Sequence, residues 1–147
     1  AVAQSLPIVA VSSLTALAQG CYRRLGETQV LAGLDARMSE VYWSACELRE
    51  GVMQAVDNEV VSRIEHLSPI QGDQWWGVGS AWDEFESELQ SQFADLIQGV
   101  DKGQTIDALD VAALAAVAYA NGEIVSIDQA VPIYLRDDVA AKPKAKR

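Results

Sequence analysis

Apolar residues recur along this chain at two spacings, and the alternation between them predicts the elements. Pro7–Val11 is a short apolar run of the kind that makes a buried strand. A helix follows, with Ser12 or Ser13 as N-cap. Leu14, Leu17, Ala18, Cys21 and Leu25 form its apolar stripe, Arg23 and Arg24 suit its negative C-terminal end, and Gly26 can end it. Thr28–Leu34 reads as a second strand and Glu40–Leu48 as a third. The third is apolar on both sides, with Val41, Trp43 and Ala45 on one and Tyr42, Cys46 and Leu48 on the other, so it belongs in a sheet interior. The short link between these two strands predicts an antiparallel hairpin.

Further along, Asp57 or Asn58 can cap a short helix carrying Val60, Ile64 and Leu67 on one side, stopped by Pro69. Gln74–Val78 reads as a strand, and Trp82–Phe93 as an acidic helix with a narrow stripe of Phe85, Leu89 and Phe93. Asp107 caps an Ala-rich helix, Ala108–Ala120, which Asn121-Gly122 ends. Ala130–Leu135 reads as a final β segment. The pattern as a whole is α/β, a mixed sheet flanked by helices.

Composition narrows the picture. At 147 residues the chain is one domain or one lobe of a larger protein, and with half its residues hydrophobic and 22% charged it can build a core. The net charge is −10, but Lys142–Arg147 holds four of the eleven basic residues and no acid. Without that tail, 7 basic residues face 21 acidic ones, a charge of −14. Such a body repels phosphate backbones, which argues against a broad direct nucleic-acid surface. The basic end, 140–147, reads as a solubilising, disordered tail. Cys21 and Cys46 lie in apolar contexts, as buried thiols of a reduced, cytoplasmic protein do. Ala1–Val11 lacks the basic start of a signal peptide. The longest uncharged apolar run, Val111–Ala120, is half of the roughly 20 residues that span a bilayer. Ala1–Leu6 reads as the end of a helix with no beginning, so a fragment lacking an N-terminal lobe is expected, with 1–139 as the remaining lobe; a start processed at Ala1 is the alternative.

Candidate chemistry is sparse. One histidine, His66, and two distant cysteines do not make a zinc or iron site, nor a Ser-His-Asp or Cys-His apparatus. Gly77-Val-Gly79-Ser80 joins a strand to a helix where a phosphate could approach, but the motif is incomplete and Asp83, Glu84 and Glu86 already bring negative charge to the helix start. A tight strand–helix turn is the better reading. Trp75, Trp76 and Trp82 are expected in or near the core, with one of the adjacent pair facing inward. Asp35, Arg37 and Glu40 gather where two strands meet. Arg37 could hold an anion while the carboxylates orient it, or the three could form ion pairs that set the hairpin register; the residues by themselves favour the second reading.

Several segments together resemble the TsaB (YeaZ) family, bacterial proteins of threonylcarbamoyladenosine synthesis in tRNA. They are Leu6–Leu14, Asp35-Ala-Arg37-Met-Ser-Glu40-Val-Tyr42-Trp43, the Gly77–Gly79 turn, the Ala-rich helix and Pro132-Ile-Tyr134-Leu-Arg136. The resemblance implies the C-terminal lobe of an actin/Hsp70/sugar-kinase-like (ASKHA) fold. It implies a non-catalytic scaffold that activates the TsaD transferase in a complex with the ATPase TsaE, with a possible homodimer. No cofactor is then expected in this chain, although ATP or ADP belongs to the full complex, and no membrane contact. The family's older glycoprotease-like name leaves an alternative, a nucleotide-binding or peptidase-like enzyme of the same fold. Asp35, Arg37 and Glu40 stay the candidate binding residues, with no catalytic residue and no metal ligand.

Overall fold

Six strands form one mixed sheet in the computed structural model, which describes residues 6–135. The elements in chain order are α1 (Ser13–Leu25), β1 (Gln29–Asp35), β2 (Glu40–Arg49), β3 (Val52–Ala55), β4 (Val60–Arg63), β5 (Trp75–Val78), α2 (Ser80–Glu84), α3 (Glu86–Phe93), β6 (Ile97–Asp101) and α4 (Ala108–Ala120). The strand order is β3-β2-β1-β5-β6, with β4 also paired to β2. β1 and β2 are antiparallel, from Gln29 opposite Glu47 to Asp35 opposite Val41, while β1, β5 and β6 run parallel. Helices cover both faces, and β2 is an interior strand as its two apolar sides require.

Local chemistry sets the helix ends. The Ser12 side chain accepts the Leu14 and Thr15 N–H groups at the start of α1, and Gly26 closes it in a left-handed conformation. Asp107 caps α4 by accepting the Leu109 N–H. The α1 stripe of Leu14, Leu17, Ala18 and Cys21 packs against Val30, Ala32, Cys46, Met53 and Val78 on one face of the sheet. The opposite face carries Leu31, Val41, Trp43, Trp75, Trp82, Leu89 and Phe93. Trp75 and Trp76 divide between the faces, Trp75 buried and Trp76 half-buried. α4 lies beside α1 and contributes Leu114 to a smaller cluster with Ala16 and Val52.

Four expectations need correction. Pro7–Val11 is not a strand of the sheet; only Ile8 forms an isolated bridge, to Val125. The segment after Asp57 is not a helix but β4 followed by a single 3-10 turn, Ile64–His66. Its β-branched Val60-Val61 pairs with Trp43 and Tyr42, and that pairing outweighs the helical spacing. The helix expected over Trp82–Phe93 is two, α2 and α3, broken at Phe85. Ala130–Leu135 finds no strand partner, and Val131, Ile133 and Tyr134 are exposed. Two strands, β3 and β6, were not expected; each is only four or five residues long, and β6 begins directly after a helical turn. The basic tail lies outside the described residues.

Glycines and indoles interlock across the sheet. A Cβ on Gly77 would sit 2.4 Å from the Trp82 ring, and one on Gly33 3.0 Å from both Trp43 and Ala81. On the other face Trp76 lies over its cross-strand partner Gly99, where a Cβ would come within 2.7 Å of the ring. Trp82 is fully buried, and its Nε1–H donates to the Leu31 carbonyl at 2.8 Å. No helix among the described residues is long and apolar enough to cross a membrane. Gly77→Ala should therefore overpack this contact and lower the unfolding free energy by about 3 kcal/mol, measured by urea denaturation. Gly103→Ala, where the glycine side is open, should cost about 1 kcal/mol through its positive φ alone.

Candidate functional site

The carboxyl ends of the parallel strands β1, β5 and β6 meet at one edge of the sheet, the position where open α/β sheets bind ligands. The β1–β2 hairpin turn, the glycine turn after β5 and the loop after β6 converge there. The sequence-derived residues Asp35, Arg37 and Glu40 all belong to the hairpin: Asp35 ends β1, Glu40 begins β2, and Arg37 lies between them. Asp35 and Glu40 are half-buried and Arg37 is exposed.

The turn itself is unusual. Arg37, Met38 and Ser39 have φ of 65°, 56° and 59°, three successive non-glycine residues in the left-handed region. Main-chain bonds hold it: the Ala36 N–H donates to the Glu40 carbonyl at 2.9 Å and the Glu40 N–H to the Arg37 carbonyl at 3.1 Å. Asp35 Oδ1 accepts the Arg37 N–H at 2.8 Å, so this carboxylate fixes the turn through the backbone. The Asp35 N–H donates to Ser80 Oγ at 3.0 Å, which ties the hairpin to the start of α2.

The glycine turn is filled by packing. Gly79 has φ 102°, and a Cβ there would meet the Gly33 carbonyl oxygen at 2.3 Å; Gly77 makes room for Trp82. Gly79 also accepts the Trp82 N–H at 3.0 Å. Asp83 Oδ1 accepts the Gly103 N–H at 2.9 Å and Glu86 pairs with Lys102, so the acidic start of these helices holds the loop after β6. Each glycine serves a steric need of the chain's own backbone and indole, in line with the tight-turn reading.

Behind this edge lies an ion-pair network that sequence reasoning missed. Arg23 grips the buried Asp110 through two bonds, 2.8 Å from Nε and 2.9 Å to Oδ2, and reaches Asp107 at 3.4 Å. The Asp110 hydrogen bond holds the Arg23 pKa above its ordinary value. Arg24 binds Asp101, the last residue of β6, at 2.7 and 3.0 Å. Gly20 allows this approach, since a Cβ there would stand 2.8 Å from both Arg24 and Asp110. The only signals in sequence were the paired arginines at one helix end and Asp107-x-x-Asp110 at the start of another, more than 80 residues apart. At the other end of α1, Ser12 Oγ donates to Glu59, so a carboxylate of the chain itself satisfies the positive end of that helix.

The two thiols are core groups. Burial pushes the Cys21 thiol up to about 12 and the Cys46 thiol up to about 11, so both are protonated near neutrality. His66 is exposed on its 3-10 turn. No group of His, Cys, Asp and Glu suited to a metal ion exists among the described residues.

The mixed sheet in the order β3-β2-β1-β5-β6, with α1 and α4 on one face and α2 and α3 on the other, defines a lobe of the actin/Hsp70/sugar-kinase-like class. A crystal structure from Pseudomonas aeruginosa, of a protein with similarity to peptidase YeaZ, superposes with a TM-score of 0.81 at 36% identity, over 92% of this chain and 62% of that one. YeaZ from Pseudomonas aeruginosa gives 0.80 at 36% identity, over 90% and 62%. The tRNA threonylcarbamoyladenosine biosynthesis protein TsaB of Escherichia coli (strain K12) is 33% identical over 152 aligned residues, 97% of this chain and 62% of its own length. The TsaB of Haemophilus influenzae is 32% identical, over 93% of this chain and 60% of its own. The chain is thus a homologue of the TsaB (YeaZ) proteins, consistent with membership of that family, and it spans less than two thirds of the length of the curated relatives it matches. No protein-family model matches the chain.

Three measurements check this geometry. Asp110→Ala should lower the unfolding midpoint, because it removes the two bonds by which Arg23 joins the end of α1 to the start of α4. Ser39→Gly should stabilise by about 0.5 kcal/mol, since relief of the left-handed strain exceeds the entropy cost of glycine. Both thiols should resist a disulfide reagent at pH 8 until the protein unfolds. Their folded pKa values lie above the unfolded value of 9.0, so the unfolded chain loses protons first and stability falls as pH rises from about 9 towards 11 and 12.

Proposed function

We propose that this chain is the C-terminal lobe of a non-catalytic scaffold subunit in tRNA threonylcarbamoyladenosine synthesis, acting in the cytoplasm on the TsaD transferase in a complex that includes TsaE. The observation that carries this reading is the similarity to TsaB proteins across nearly the whole chain. The site geometry supports a scaffold. The glycine turn is occupied by Trp82, the carboxylates Asp35, Asp83, Asp101 and Asp110 hold the chain's own groups, and the thiols are buried and protonated. The exposed apolar outer face of α4, Leu109 to Tyr119, with Val131, Ile133 and Tyr134, supports a lobe that packs against further protein. ATP or ADP then belongs to the assembled complex. The acidic body leaves tRNA contact to partners.

The hairpin turn is the contact we assign to this role. Its strained backbone holds Arg37 out into solvent, where a partner's carboxylate or a phosphate can reach the guanidinium. In cells whose own gene is deleted, the full-length protein should restore threonylcarbamoyladenosine, measured by mass spectrometry of tRNA nucleosides. Arg37→Ala should restore it several-fold less well with an unchanged melting temperature. Full restoration by a folded variant would remove the turn from the function, and no dependence on the protein at all would remove the scaffold reading. Calorimetric titration of ATP with magnesium into this chain should show no tight binding; tight binding would favour an enzyme.

A further inference from the structure

The tip of the β1–β2 hairpin carries side chains that its own backbone disfavours. The bond from the Glu40 N–H to the Arg37 carbonyl closes a turn with Met38 and Ser39 at its centre. Both central residues have positive φ, 56° and 59°, the mark of a type I′ turn, which favours Asn and Gly. The β2–β3 hairpin meets the same demand with Glu50-Gly51. Asn and Gly at 38 and 39 would hold the backbone with less strain, so turn formation is not what favours methionine there. Nor does the core gain much from it, since Met38 is 84% exposed. Among the large exposed apolar residues described, it is the one with a left-handed backbone. Arg37 beside it is exposed too. Among the described residues it makes no ion pair, whereas Arg23, Arg24, Arg49, Arg63 and Lys102 each do.

We propose that this tip is a docking knob for a protein of the same complex: Met38 enters an apolar pocket on the partner, and Arg37 meets a carboxylate at the rim of that pocket. The inference rests on the scaffold reading and names the partner surface that fits the turn. Methionine adapts to irregular apolar pockets, and arginine is the cation best shaped to grip a carboxylate with two bonds. The knob is held before any contact is made, because Asp35 Oδ1 accepts the Arg37 N–H and Ser80 Oγ accepts the Asp35 N–H. A preformed turn loses little freedom on docking. A nucleic-acid phosphate is a worse fit, since it offers Met38 no apolar surface and is repelled by the acidic body of the chain.

The test titrates the purified TsaD–TsaE pair, with ATP and magnesium, into fluorophore-labelled full-length protein and reads the dissociation constant by anisotropy. Met38→Leu, which keeps an apolar tip of similar volume, should bind within about twofold of the unaltered protein. Met38→Ser and Arg37→Ala should each weaken binding by about tenfold or more. Met38→Asn with Ser39→Gly gives the turn the residues it favours, so its melting temperature should rise while binding falls by about the same tenfold. A purely structural turn would not separate those two readouts. The proposal is overturned if this double variant binds as tightly as the unaltered protein; the scaffold reading then stands. It is also overturned if Met38→Ser binds normally while Arg37→Ala loses affinity for tRNA alone, which would mark a phosphate contact. If the unaltered protein does not bind the pair, the scaffold reading fails and the docking knob fails with it.

Discussion

The contact on which the rest of the molecule depends is the Trp82 indole laid on the backbone of β1 and β5. It needs Gly77 beneath the ring, a fully buried face, and the Leu31 carbonyl to accept its N–H. A buried indole brings a large apolar area and a single polar group that must be satisfied. Here both conditions are met by the central strands, which fixes how α2 leaves the sheet. Trp43 continues the cluster, 5.7 Å from Trp82 and stacked on Phe93 at 5.3 Å, so α3 is located by the same aromatic column. Side chains absent at Gly33 and Gly77 are as much a part of this packing as the rings.

The candidate site follows from that arrangement. With α2 held against β1, Ser80 stands where it accepts the Asp35 N–H, and the hairpin turn is joined to the glycine turn. The edge is closed from behind by Arg23 and Arg24, which join the end of α1 to the start of α4 and the end of β6. Charges within it are matched locally, Asp101 with Arg24 and Glu86 with Lys102. What projects outward is the three-residue left-handed turn with Arg37.

Local signals carried much of the fold. Ser12, Gly26, Asp107 and Asn121-Gly122 bounded α1 and α4 because caps depend on a few neighbouring residues. Both faces of β2 could be read because an interior strand is apolar on each side. The segment after Asp57 was misread because Val60, Ile64 and Leu67 fit a helical spacing, while pairing with β2 favours extended backbone. Ala130–Leu135 was misread for the converse reason: its residues favour a strand, and no strand pairs with it. Of the site, Asp35, Arg37 and Glu40 were visible as a cluster and are one turn, but the backbone geometry that gives the turn its character was not visible.

The sequence by itself determined the class of fold, the hairpin that carries Asp35, Arg37 and Glu40, and the lack of clustered metal or nucleophile ligands among its few His and Cys residues. These follow from periodicity and composition, which act over a few residues. Tertiary structure decided that the glycines after β5 accommodate Trp82, that Asp110 is buried against Arg23, and that Glu59 meets the start of α1. Each of the last two joins positions about 50 or more residues apart, and the glycine turn depends on β1 more than 40 residues before it. Only the paired strands and packed helices bring such groups within contact distance, so no local pattern could announce them.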